Sequence, residues 1–236
     1  IIPIMIPAGI HTFKMHEPKI FVFRAIVGSL GMVAGFIAFI LIPLAQAMAI
    51  SFTTPIFVTI GAALLLGEII KLRRIIAIFV GFLGMLVIIQ PGAGVVSIGV
   101  VLAFISAGAH SVNALLVKRM TIKESPNAIV AWMVILIVPI TIVPALFVWQ
   151  WPSGLTWIYL WSLALFGTLA HMCFTRAFAS AEVTSLQPLE FIKLPMTALI
   201  AWMIFAEVPG IWTWVGGIII FASTAYITHR EAKLNK

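Results

Sequence analysis

Long apolar stretches separated by short polar ones fill the chain from residue 20 to residue 228, and this alternation leaves few folds open. The stretches cover roughly 20–42, 45–66, 75–91, 96–117, 127–149, 155–175, 185–206 and 211–228. Most have the ~17–25 residues that an α-helix needs to cross a bilayer. They are continuous, without the every-second-residue alternation of an outer-membrane barrel strand, so helices are expected. A greasy soluble bundle would need polar faces on its outer helices, and none is visible. Charged residues make up 9% of the chain, where a soluble domain carries about a quarter. The expected fold is an all-α membrane protein, a polytopic helical bundle with eight complete spans.

The first ten residues, IIPIMIPAGI, form a ninth apolar piece. As helix they would rise about 15 Å, half of a ~30 Å hydrocarbon core. No N-terminal basic region or small-residue cleavage site marks a signal peptide. The piece reads as the end of a helix, and the polypeptide as a fragment.

Basic residues set the orientation. If the chain crosses at every span, one side receives Lys14, Lys19, Arg24, Lys71, Arg73, Arg74, Lys118, Arg119, Lys123, Arg176, Arg230, Lys233 and Lys236. Of the 14 Lys and Arg residues only Lys193 breaks this parity. Cytoplasmic loops are the ones enriched in Lys and Arg, so that side is expected to be cytoplasmic. The expectation is a multi-pass protein of a bacterial-type inner membrane with a cytoplasmic C-terminus. On the other side lie the short turns PGAG (91–94), WQWPSG (149–154) and EVPG (207–210). Near them Trp149, Trp151, Trp157, Trp161, Trp212 and Trp214 are placed as an interfacial belt. The formal charge of +7 forms no basic face or run, so nucleic acid is not an expected partner; the lipid bilayer is. A single cysteine, Cys173, excludes an intrachain disulfide framework.

The segment PLAQAMAISFTTPIFVTIGAALLLGE (43–68) is repeated in outline by AEVTSLQPLEFIKLPMTALIAWMIFAE (181–207). Each copy has a polar-sprinkled start, a proline near the middle and a closing small residue with Glu. A glycine-bearing helix follows each. Charge parity puts Glu68 and Glu207 on opposite sides, so the copies are expected to be inverted, as in many secondary transporters. Together with GFLGMLVIIQPG and LFGTLAHMCFTRAFAS, these segments resemble the EamA-type branch of the drug/metabolite transporter superfamily, from about residue 12 onward. The resemblance implies ten helices in two inverted five-helix repeats with both termini cytoplasmic. The present spans then correspond to the tail of the second helix and the third to tenth, without the first helix, which helps to line the cavity in that family. The expected organisation is a truncated N-terminal repeat (1–117), a linker (118–126) and a C-terminal region (127–236). If the family pattern holds, 96–117 is the first helix of the second repeat.

Polar groups inside a membrane are costly and tend to face the bundle interior or a wet cavity. Glu190 and Lys193 lead the candidates: their i,i+3 spacing places them on one face, and a helix starting near Val183 carries Lys193 about 15 Å inward. They can neutralise each other between helices, or Lys193 can meet an anionic group of a ligand. His110 and Asn113 share a face of 96–117, and His171 lies in 155–175; each His can bind substrate, pass protons or bond across helices. Gln46, Ser51, Thr53 and Thr54 flank Pro55, whose ring and missing N–H free nearby carbonyls; Gln46, Ser51 and Thr54 are candidates there, against bonding back to their own helix. Glu68 and Glu207 read as caps or partners of loop groups.

No metalloprotease, hydrolase-elbow, P-loop or dinucleotide motif occurs, and there is no Asp for an aspartate-rich magnesium site. No cofactor or metal is expected. The expected function is secondary transport of a small organic metabolite, anionic or amphoteric, by alternating access through a central cavity. A homodimer is compatible with the sequence. The alternatives are a polytopic membrane enzyme acting on a lipid or lipid-linked substrate, and a non-transporting scaffold. Orientation is testable directly. Single cysteines placed in 71–74 or 118–124 should be shielded from an impermeant thiol reagent outside intact cells, while one replacing Ser153 should react. Equal labelling of both sets would overturn the parity.

Overall fold

A computed structural model describes residues 15–42, 47, 50–89, 97–147, 149–205 and 210–234. IIPIMIPAGI, Gln46, the turn at 91–94 and Glu207 lie outside the described residues. The described chain is helical: α1 (Pro18–Leu41), α2 (Thr54–Leu66), α3 (Leu72–Ile89), α4 (Ile98–Met120), α5 (Pro126–Phe147) and α6 (Gly154–Ser180) come first. A short α7 (Val183–Leu186) then runs into a 3₁₀ stretch (Gln187–Ile192), followed by α8 (Lys193–Phe205) and α9 (Ile211–Leu234). Among the described residues, α1, α4, α5 and α6 are long and apolar enough to cross a membrane. Leu160, Leu163, Phe166 and Leu169 on α6 are exposed, as are all six belt tryptophans. Water would not tolerate so much open apolar surface, whereas lipid is its natural solvent.

Two expected spans differ from the observed helices. Within 45–66 the described residues 47, 50 and 51 are helical, a turn at Phe52 and Thr53 interrupts, and α2 begins at Thr54 with Pro55 in its first turn. Proline fits there because the first-turn N–H groups have no intrahelical acceptor. The turn before it is closed locally, since both the amide and the hydroxyl of Thr53 donate to the Ile50 carbonyl, at 2.9 and 2.6 Å. The 185–206 span is not one helix but the sequence α7, 3₁₀ stretch, α8.

The chain forms two compact units. One comprises the chain up to Leu30 with Leu116–Ala181. Its charged groups tie helix ends together. The Glu124 carboxylate accepts the amides of His16 (2.6 Å) and Glu17 (3.3 Å) and faces His16 Nδ1 at 3.1 Å. Lys123 pairs with Glu17 and holds its carboxyl below the ordinary value. Lys118 Nζ donates to the Phe178 and Ala181 carbonyls at 2.8 and 2.6 Å, capping the end of α6. Inside, the buried Arg24 guanidinium donates to the Ile129 carbonyl at 3.2 Å.

The other unit comprises Gly31–Leu115 and the chain from Glu182 onward. Its core joins Phe52, Ile78, Met85, Phe191 and Ile220. Helices α3 and α9 pack at glycines: a Cβ on Gly216 would lie 2.5 Å from the Gly84 carbonyl oxygen. Small residues let backbones approach this closely, which is where packing between membrane helices is gained. Gly216→Val should therefore lower the melting temperature of the detergent-purified protein sharply. Gly108→Ala, whose Cβ meets nothing within 4 Å, should leave it nearly unchanged. Equal melting of both variants would contradict the close contact.

Candidate functional site

Three residues per turn eclipse side chains at i and i+3, and that geometry sorts the 3₁₀ stretch by edge. Pro188 and Phe191 share one edge and both are buried. Gln187, Glu190 and Lys193 share another, graded from buried Gln187 through half-buried Glu190 to exposed Lys193. Glu190 and Lys193 form an ion pair. The tighter winding thus brings the pair into line, and its greater rise per residue carries Lys193 about 18 Å from Val183 rather than the ~15 Å of a continuous α-helix.

The break is anchored at several points. Phe191 seats against Gly81, where a Cβ would come within 2.7 Å of its ring. The Lys193 amide returns to the carbonyls of Glu190 and Phe191. Gln187 Nε2 donates to the Val183 carbonyl at 3.1 Å. Upstream, the Glu68 carboxylate accepts the amides of Val183 (2.8 Å) and Thr184 (3.0 Å) and the Thr184 hydroxyl (2.8 Å). A carboxylate at a helix start satisfies orphan donors and opposes the positive end of the helix dipole. Arg74, 2% exposed, donates to Thr184 Oγ1 at 2.7 Å and to Glu182 at 2.5 Å. Three elements, the end of α2, the first turn of α3 and the start of α7, are thereby fastened at Thr184.

Glu68 acts here as a cap. Arg74, Glu182 and Thr184 were not among the sequence candidates: charge parity treats Arg74 as a loop cation, and its partners Glu182 and Thr184 lie 108 and 110 residues away.

The remaining candidates are placed as follows. Thr54, at the start of α2, donates to the Ala107 carbonyl of α4 at 3.4 Å. One turn further along α4, exposed His110 donates from Nδ1 to the Ser106 carbonyl at 2.8 Å, which in the neutral ring leaves Nε2 as the acceptor nitrogen. Ser106 in turn donates to the Gly31 carbonyl at 2.8 Å. Asn113 and Ser51 are half-buried. Glu190, Lys193, Ser51, Thr54, His110 and Asn113 all belong to the unit that starts at Gly31. His171 lies on α6, exposed, in the other unit. A cavity of about 180 Å³ lies elsewhere, lined by Glu17, Phe21, Arg119, Met120, Ile122, Lys123 and Glu124. None of the candidates lines it, and its carboxylates are engaged with Lys123 and His16. No group of three or more His, Cys, Asp or Glu residues that could hold a metal occurs among the described residues.

Four apolar helices of membrane-crossing length, beside a segment (183–205) wound in three pieces around a charged pair, define a multi-pass helical membrane protein. Comparison with known sequences names the family: the pattern of the EamA-like transporter family matches residues 1–90 and 97–229, and the chain belongs to that family. It is 33% identical over 196 residues to the riboflavin transporter of Vibrio cholerae, covering 83% of this chain and 66% of that protein, just under two thirds of its length. It is 29% identical over 233 residues to the riboflavin transporter of Rhizobium johnstonii, covering 98% of this chain and 77% of that one. To the S-adenosylmethionine uptake transporter of Rickettsia felis it is 26% identical over 233 residues, covering 99% and 79%. A solved crystal structure of a protein only 17% identical superposes with a TM-score of 0.84, over 100% of this chain and 84% of that one, which establishes the fold.

The clasp at Thr184 makes a quantitative prediction. Thr184→Val removes a partner from both Glu68 and Arg74, and leaving such groups short costs about 1–3 kcal/mol. Unfolding in detergent should show that loss, and Thr184→Ser should recover most of it. A Val variant as stable as the parent would remove the clasp from the account.

Proposed function

We propose that the protein is a secondary transporter of a small polar metabolite, which it binds at the Glu190–Lys193 pair and carries by alternating access. The observation that carries this reading is the placement of that ion pair at a helix break inside an otherwise apolar span. A lone Lys at the centre of a membrane helix costs about 2.5–3.5 kcal/mol on insertion scales, so the pair needs a reason to persist there. A wet, substrate-binding cavity supplies one. The repeats on either side of the linker 118–126 would rock about that cavity, as inverted-repeat transporters do. His110, Asn113, His171, Gln46, Ser51 and Thr54 are its further lining candidates. Parity of the basic residues supports an inner-membrane orientation with the C-terminus in the cytoplasm.

Two of the relatives described above are named for riboflavin and one for S-adenosylmethionine, and both molecules suit a Glu–Lys pair. In riboflavin the imide edge of the ring offers two carbonyl oxygens to an ammonium and one N–H to a carboxylate. In S-adenosylmethionine the amino-acid end offers a carboxylate to Lys193 and an ammonium to Glu190. Riboflavin is the first substrate to test. No nucleotide-binding motif accompanies the span pattern, so the driving force would be a gradient or exchange.

Cells expressing the protein should take up labelled riboflavin faster than control cells. Lys193→Met should abolish that uptake while leaving the amount of protein in the membrane nearly unchanged. Adding Glu190→Gln should restore nothing. A double variant that transports at the parental rate would reduce the pair to a contact between helices.

A further inference from the structure

A single shift of 139 residues carries Phe52 onto Phe191, Glu68 onto Glu207 and Phe82 onto Phe221. The same shift carries contacts onto contacts. The close approach of Gly84 and Gly216 maps onto the pair Ser223 and Ala77, and Ser223 Oγ does donate to the Ala77 carbonyl, at 3.0 Å. The seating of Phe191 on Gly81 maps onto Phe52 with Ile220, and those two share one buried cluster. The equivalent phenylalanines themselves stack, with ring centroids 5.8 Å apart and planes 20° from parallel. Residues related by a two-fold operation touch their own equivalents only beside the axis. The Phe52–Phe191 stack therefore marks that axis.

In this register Ser51 is the equivalent of Glu190, and Thr54 of Lys193. Each copy puts an i,i+3 polar pair around its axial phenylalanine: two hydroxyls in the first copy, two ions in the second. We propose that the two pairs are the two halves of one substrate site, built from equivalent positions. Glu190 and Lys193 take the ionic or imide end of the metabolite, and Ser51 and Thr54 hydrogen-bond its uncharged, hydroxyl-bearing end. This rests on the reading that Lys193 meets substrate and adds Thr54 as a specificity-determining residue. The 3.4 Å bond from Thr54 to Ala107 is long for a hydroxyl donor, so a substrate acceptor can replace it. The substrate class that fits is an elongated polar molecule with chemically unlike ends.

Exchanging the pairs tests the equivalence. Lys193→Thr alone should lower uptake of labelled riboflavin or S-adenosylmethionine by about tenfold or more, a loss of about 1.4 kcal/mol in transition-state stabilisation. The four-residue exchange Ser51→Glu, Thr54→Lys, Glu190→Ser and Lys193→Thr should bring back most of it, because the whole ion pair then sits at the equivalent position. Unchanged uptake by Lys193→Thr would defeat the reading of Lys193 itself. A loss that the exchange does not repair, at normal amounts in the membrane, would overturn the equivalence alone. Two readouts hold whatever the yield of the exchange variant. Thr54→Val should raise KM severalfold with its membrane amount unchanged; an unaltered KM overturns the proposal. In a Cys173→Ser background, thiols introduced separately by Thr54→Cys and Lys193→Cys should both react with a small water-soluble reagent. An inert thiol at position 54 beside a reactive one at 193 overturns it as well.

Discussion

A bilayer offers the backbone no hydrogen bonds, so a helix interrupted inside it must find every partner within the protein. The stretch from Val183 to Lys193 meets that demand at both of its ends. Its first amides bond the Glu68 carboxylate, and the amide of Lys193 returns to carbonyls within its own 3₁₀ turn. Phe191 then pins the turn against Gly81. With its backbone satisfied in this way the chain can hold a wound segment that is not α-helix, and that winding eclipses Glu190 and Lys193, which their i,i+3 spacing already sets on one face.

Charge is used sparingly and in two ways. Arg74, Glu68, Glu124 and Lys118 serve helix ends, where amides or carbonyls lack intrahelical partners. Glu190 and Lys193 pair with each other where the 3₁₀ stretch passes into α8. Arg74 shows the cost of such economy. It is almost fully buried, and removing a partner from a buried ion is far more damaging than removing one at the surface.

Hydropathy alone made most helices legible, because a bilayer-crossing run has few other solutions, and the four helices long and apolar enough to cross lie where the apolar stretches predict them. Two features escaped it. Pro55 reads as a break inside a span, and hydropathy does not place it: the turn lies just before the proline, at Phe52 and Thr53, with Pro55 in the first turn of α2. The 3₁₀ turn at Gln187–Ile192 is hidden because its polar residues fit one face of a continuous helix equally well, and its anchors, Gly81 and Glu68, lie more than a hundred residues away. In the candidate site the pairing of Glu190 with Lys193 followed from spacing, and the capping role of Glu68 from its place at a helix end. Thr184 carried no such signal. Its importance comes from Arg74 and Glu68 converging on one hydroxyl, which only the tertiary structure discloses.

The central claim is that the metabolite is held at the break in the 183–205 segment. The most direct test is a structure of the protein in lipid with riboflavin or S-adenosylmethionine bound. The account predicts polar atoms of the ligand within hydrogen-bonding distance of Lys193 Nζ and of Glu190, with the Phe52–Phe191 stack beside it. A ligand bound elsewhere, with the Glu190–Lys193 pair closed on itself and out of reach, would contradict it.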